Sequence, residues 1–162
     1  MNVSYFLKYW NALGDADIAL AYMVAMLTDA VVAVPIGSLY DKIKFKSLYL
    51  APSSALASTI LFIYTPTFMG AGEATARIAT YVMAALWGVT MGCFETIMRA
   101  SIADLLPPEK RALGYGVYGL VYGVSWTIGS FIYAYLLLQP QSIPAIYATT
   151  TLLLSAILIS KI

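Results

Sequence analysis

Asp29 is a lone carboxylate inside an apolar run that extends from about Ile18 to Tyr40. In a helix rising 1.5 Å per residue it stands about 16 Å from Tyr40. A carboxylate surrounded by hydrocarbon is costly unless it is protonated, paired or hydrated. Two roles suit it. It is either an acid that exchanges a proton or touches a solute, or a structural acid kept neutral by hydrogen bonds between helices. A second constellation is Glu95 and Arg99, which lie one helical turn apart on one face and can pair. A third is Tyr115, Tyr118, Tyr122 and Trp126, whose spacing places them on a single helix face. Such rings combine apolar area with a polar tip and suit either a solute path or the boundary between lipid and water. Tyr122 and Trp126 lie deep in their segment, which favours the path for those two. Tyr9, Trp10 and Tyr64 have the placement of boundary anchors.

Several chemistries are excluded. The chain has no histidine and one cysteine, Cys93. Zinc sites of the Cys/His type, a Ser-His-Asp triad and an internal disulfide are therefore out of reach. No glycine-rich phosphate loop ending in Lys-Ser or Lys-Thr is present. No cofactor, metal or enzymatic activity is expected. The net charge is +1, and the basic residues sit in short clusters without a broad patch for nucleic acid.

The elements that must hold these residues follow from composition. Of 162 residues, 61% are hydrophobic and 10% charged. A water-soluble fold of this size has no core large enough to hide so much apolar surface. A lipid bilayer removes that requirement. The expected fold is an all-α membrane protein with about five spanning helices, near 18–40, 47–66, 76–99, 113–138 and 143–159. The apolar runs are continuous, without the alternation of a membrane β-barrel. Glycine and proline mark the connections, as in "TFMGAGEA", "LLPPEKRA" and "LQPQSIP". Lys42, Lys44, Lys46, Arg99, Lys110, Arg111 and Lys161 fall on one side, against Lys8 and Arg77 on the other. The positive-inside rule makes the first side, with the C-terminus, cytoplasmic. Residues 1–17 read as the remnant of a preceding helix plus a loop, and 18–162 as the bundle. Pro35 and Pro52 are expected to kink their helices.

Small residues recur every four positions at Ala84, Gly88, Gly92 and Thr96, and at Gly119 and Gly123. Such stripes let helix backbones approach closely in lipid. Packing is the expected role of all four of these glycines.

The stretch GSLYDKIKFKSLYL at 37–50 concentrates charge between two apolar runs. Gly37, Leu39, Asp41, Lys42 and Lys46 resemble the signature loop of the major facilitator superfamily, G-x-L-x-D-R-x-G-R-K. Lys42 replaces its arginine, Lys44 stands where its second glycine is expected, and Phe45 replaces a basic residue. The segments "ETIMRASIADLLPPEKRALGYGVYGLVYGVSWTIGS" at 95–130 and "AMLTDAVVAVPIGSLYDKI" at 25–43 resemble later helices of the same family. The resemblance covers nearly the whole chain but only the C-terminal half of a twelve-helix architecture, helices eight to twelve plus the end of helix seven.

That resemblance implies a truncated C-terminal six-helix bundle in the cell membrane. It implies part of a secondary active transporter that moves a small solute by alternating access. The partners would be the lipid bilayer, the solute, and the missing N-terminal half or another membrane polypeptide. Asp29, Tyr122 and Trp126 would line the substrate or proton pathway. Gly37, Asp41, Lys42, Glu95, Arg99, Asp104 and Arg111 would form a cytoplasmic gate. Asp41 would face the positive end of the helix that starts near Pro107 and Pro108. For Lys44, Lys46 and Lys110 the expected role is topology alone. The alternative from another class is a non-transporting remnant or a membrane interaction subunit.

Overall fold

The computed structural model describes residues 14–136, 138–139 and 142–161. The expected helix remnant at 3–13, with Lys8, Tyr9 and Trp10, lies outside the described residues. The elements in chain order are α1 (Asp15–Ile43), a 3-10 turn (Lys44–Tyr49), α2 (Leu50–Ile63), α3 (Thr65–Gly70), α4 (Glu73–Leu105), α5 (Pro108–Leu136) and α6 (Ser142–Ile159). The described residues contain no strand.

Local chemistry sets the breaks. α1 runs through Pro35 without interruption and ends at Ile43. Lys44 then adopts φ 51°, a left-handed backbone that side chains rarely occupy. Pro52 falls in the first turn of α2, where its missing N–H leaves no helical hydrogen bond unmade. Gly72 takes φ 118° just before α4, a conformation open to glycine. Leu106 is extended ahead of Pro107, as residues before proline prefer, and this stops α4. Pro108 then opens α5.

Among the described residues, length and apolarity single out four helical stretches able to cross a bilayer: Asp15–Ile63, Glu73–Leu105, Pro108–Leu136 and Ser142–Ile159. The first folds back on itself. Along α1 and α4 the contacts advance together, from Asp17 with Tyr81, through Asp29 with Gly92, to Tyr40 with Asp104. These two helices are therefore parallel. Along α2 and α4 the contacts run in opposite senses, Ser54 meeting Thr90 and Ser58 meeting Met83. α2 is antiparallel to α4, so the chain must reverse at Lys44–Tyr49. The four stretches thus supply five arms. The second arm is short, because the 14 residues of α2 reach only about 21 Å. α3 extends it after a break at Tyr64.

α4 is the centre of the bundle. It buries Ala76, Thr80, Met83, Gly88, Gly92, Cys93, Ile97 and Ser101. Ile36, Tyr40, Leu48, Ala51, Cys93 and Ile97 form one apolar cluster where α1, the 3-10 turn, α2 and α4 meet. α5, in contrast, buries none of its residues. Leu113, Leu120 and Phe131 on it are 70%, 70% and 75% exposed. Water would not tolerate that surface, whereas lipid chains do. The hydroxyls show the same solvent. Thr28, Thr80, Thr90, Ser101 and Thr127 each donate to the carbonyl one turn back, at 2.6–3.0 Å. A polar group in hydrocarbon needs such an internal partner.

Candidate functional site

A cavity of about 650 Å³ lies between α1, α4 and α5, with Ser58 of α2 and Tyr147 of α6 completing its wall. That volume is in the range of small-molecule sites. α1 contributes Ile18, Ala21, Tyr22 and Ala25, and α4 contributes residues from Thr80 to Phe94. α5 contributes Tyr122, Ser125, Trp126 and Tyr133 among others. No Asp, Glu, Lys or Arg lines it among the described residues. The cavity occupies the half of the bundle that holds Asp17, away from Lys44.

Both aromatic residues expected on the path are in this wall. Tyr122 lies 5.8 Å from Tyr118 and 5.9 Å from Trp126, ring centre to ring centre. Phe94 of α4 meets Tyr122 at 5.7 Å. This ring contact is one of the few ties between α5 and the rest. Another is the Tyr115 hydroxyl, which donates to the Arg99 carbonyl at 3.2 Å. These contacts run in opposite senses along the two helices, so α5 is antiparallel to α4.

Asp29 is not in the cavity wall. It follows Ala25, the last α1 residue of that wall, by one turn on the same face. Its carbonyl and carboxyl oxygens both lie 3.0 Å from where a Cβ on Gly92 would stand. A side chain at Gly92 would make a tight contact, and Asp29 would have to shift by a few tenths of an ångström to admit it. Gly88 is in closer contact one turn earlier, where a Cβ would collide with the Ala25 carbonyl oxygen and come within 2.9 Å of Thr28 Cβ. Gly119 and Gly123, by contrast, have nothing within 4 Å of a built Cβ. Gly114, which the stripe pattern does not include, is the α5 glycine in close contact, against the Leu106 side chain.

The residues expected at the gate divide into separate groups. Gly37 faces Thr96, with 3.6 Å from a built Cβ to Cγ2. Arg99 pairs with Glu95 at 3.4 Å within α4. Arg111 donates from Nε to the Leu106 carbonyl at 3.2 Å, satisfying the C-terminal end of α4. Asp104 accepts from the Tyr40 hydroxyl at 3.2 Å and from Lys44 Nζ at 2.9 Å. Asp41 and Lys42 are exposed and make no hydrogen bond or ion pair among the described residues.

Lys44 therefore takes part in an inter-helix tie, beyond the topological role its charge suggests. Its ammonium also lies 5.1 Å from the Tyr40 ring centre, within cation–π range. Its hydrogen bond to the Asp104 carboxylate holds this ammonium above its ordinary pKa. One sequence signal pointed at Lys44, since it occupies the second glycine position of the signature loop. The structure puts it in the backbone region that glycine prefers.

The opposite end of the same helix pair carries a matching cluster. Asp17 of α1 accepts from the Tyr81 hydroxyl at 2.9 Å and pairs with Arg77 Nε at 3.2 Å. Arg77 also pairs with Glu73 at 2.9 Å. Each end of the α1–α4 pair thus holds one aspartate between a tyrosine hydroxyl and a cation. Sequence patterning missed the Asp17 cluster, because its members stand 64 residues apart.

Comparison with known proteins gives these features a context. The chain is 28% identical over 134 residues to uncharacterized proteins of Mycobacterium tuberculosis and Mycobacterium bovis. The match covers 83% of this chain and 30% of each of those proteins. It is also 25% identical over 124 residues to multidrug resistance protein 3 of Bacillus subtilis, covering 74% of this chain and 22% of that protein. The chain thus spans less than a third of the length of these relatives. No solved structure matches. The profile of the Major Facilitator Superfamily matches residues 2–161, across every helix described above. With that match over an all-α bundle built to cross a bilayer several times, the chain belongs to the Major Facilitator Superfamily, a family of transporters.

Proposed function

We propose that this chain forms the C-terminal part of a secondary active transporter that moves a small solute by alternating access. The observation that carries this reading is the cavity of about 650 Å³, walled by Tyr122 and Trp126, in a chain of a transporter family. Two halves that rock about a site between them are the general mechanism of such carriers. A further membrane segment would cover α5, either from an N-terminal half of the same polypeptide or from a second one. The open glycine face of α5 supports this. On this reading the Lys44 end and the C-terminus are cytoplasmic, as the lysine and arginine distribution favours.

Asp29 acts here as the proton-exchanging acid, one turn past the cavity wall. Asp41, exposed at the end of α1, meets the positive N-terminal end of α5 in the state where the cytoplasmic side is closed. Gly37, Lys42, Glu95, Arg99, Asp104 and Arg111 frame that closure. The test uses the complete polypeptide that carries this chain, in energised membrane vesicles, with a panel of small solutes. At least one solute should accumulate in a way that collapses with the proton gradient. Asp29→Asn should abolish that accumulation and leave downhill exchange intact. Unchanged uphill flux in the variant would remove Asp29 from the mechanism. No accumulation of any solute, with stable co-purification of another membrane polypeptide, would favour an interaction subunit instead.

A further inference from the structure

The rings around the cavity differ from an ordinary apolar wall in what their polar tips do. The wall includes Trp87 and Phe94 from α4, Tyr122, Trp126 and Tyr133 from α5, and Tyr147 from α6. The two indole N–H groups and the three tyrosine hydroxyls in this set make no hydrogen bond among the described residues. An indole N–H only donates, and a phenol donates readily. No buried side-chain polar atom among the described residues lacks a partner, so these tips are open to the space around them and free to bond an occupant. The hydroxyls of Ser58 and Thr80, also in the wall, are already spent on the Met83 and Ala76 carbonyls. All five open tips can donate, two of them exclusively, while the three phenols can also accept, and each is carried on a flat apolar face.

Charge narrows the occupant further. No formal charge lines the cavity among the described residues; the two acids nearest Tyr122, Glu95 and Asp29, lie outside the wall, and Glu95 is paired with Arg99. An anion entering would lose its hydration with no cation to replace it. A cation would gain ring faces but no carboxylate, and a compact ammonium would lose its water for that exchange. A neutral aromatic loses little hydration and gains stacking on several rings.

We infer that the cavity takes an uncharged, flat aromatic solute that carries hydrogen-bond acceptors such as carbonyl or ether oxygens. The inference names a solute class for the cavity used in the transport reading and rests on that reading only for the cavity's role. Donors meet acceptors at the ring tips, and stacking supplies the remaining contact.

The test is equilibrium dialysis with the complete polypeptide that carries this chain, purified into lipid nanodiscs. Three probes share one tricyclic frame: N-methylacridone is neutral with a carbonyl acceptor, N-methylacridinium is a cation, and acridine-9-carboxylate is an anion. The neutral probe should bind roughly tenfold or more tightly than either charged one. Tyr122→Phe keeps the ring and removes a donor, and should weaken the neutral probe about threefold to tenfold. Trp126→Leu should weaken it by a similar factor, through lost stacking. Equal or tighter binding of either charged probe would overturn the inference. So would neutral binding that neither variant alters. Selective binding of the neutral probe without gradient-driven flux of any solute would sink the transport reading and leave the binding inference standing.

Discussion

On α4, Gly88 and Gly92 stand one turn apart, and on α5 Gly119 and Gly123 do the same. Their surroundings differ completely. Gly88 and Gly92 let the α4 backbone meet the backbone of α1 at Ala25 and Asp29. Gly119 and Gly123 meet open space among the described residues. The contrast extends to whole helices. α1 and α4 share a buried seam, and a Tyr–Asp–cation cluster ties each of its ends. α5 buries nothing and meets α4 through one ring pair and one hydroxyl, with Gly114 and Arg111 against the end of α4 at Ile102 and Leu106. A small-residue stripe thus marks where a backbone can be approached, and its partner decides whether it is. The difference also divides the cavity. One wall is a braced pair, and the other is a helix held by few contacts.

If that division governs movement, restraining each junction should have opposite results. Cysteines at Phe94 and Tyr122, joined by a short bifunctional thiol reagent, would tie α4 to α5. In the complete polypeptide this should abolish transport. Cysteines at Asp17 and Tyr81, joined in the same way, would tie α1 to α4 and should leave transport largely intact. Cys93 is fully buried and should not consume the reagent. Transport that survives the α4–α5 tether would break the comparison.

The next largest effect is on stability. Gly88→Ala places a methyl against the Ala25 carbonyl, and overpacking of this kind costs about 1–3 kcal/mol. Gly123→Ala meets no neighbour among the described residues and should cost less than Gly88→Ala; where that face stays open it should be neutral or stabilising by about 0.5–1 kcal/mol, since alanine favours a helix over glycine. Thermal melts of both variants in nanodiscs read this directly. Equal losses would mean that α5 is packed against a partner in the membrane, which would locate the segment that covers it. The smallest effect belongs to Asp41. Asp41→Ala removes no contact made by the described residues and should leave the melt unchanged. On the proposed gate it should still shift the complete protein towards the inward-open state. Unaltered labelling of cytoplasmic-side cysteine probes would count against that role.

Apolar runs and proline or glycine breaks made the helices legible, because in a bilayer the solvent itself selects continuous apolar helices. The family was legible too, from the loop at Gly37–Lys46 and the segment from Glu95 to Ser130. What remained hidden was which helix meets which. Nothing in one sequence couples Asp17 to Tyr81 or Tyr40 to Asp104. The shared spacing of the two glycine pairs gave no hint that one pair is covered and the other open. Lys44 was legible only as a departure from the signature, and its contact with Asp104 needed the turn that its own backbone makes.

The parallel register of α1 and α4 has a further consequence, in the order of synthesis. Asp17 and Tyr40 on α1 both wait for residues 64 positions later. At about 5–20 residues per second, that interval lasts roughly 3–13 seconds. Throughout it, the α1 residue exists while its mate on α4 has not yet been translated. The pace of elongation, and whatever holds the nascent first span meanwhile, thereby becomes a determinant of assembly.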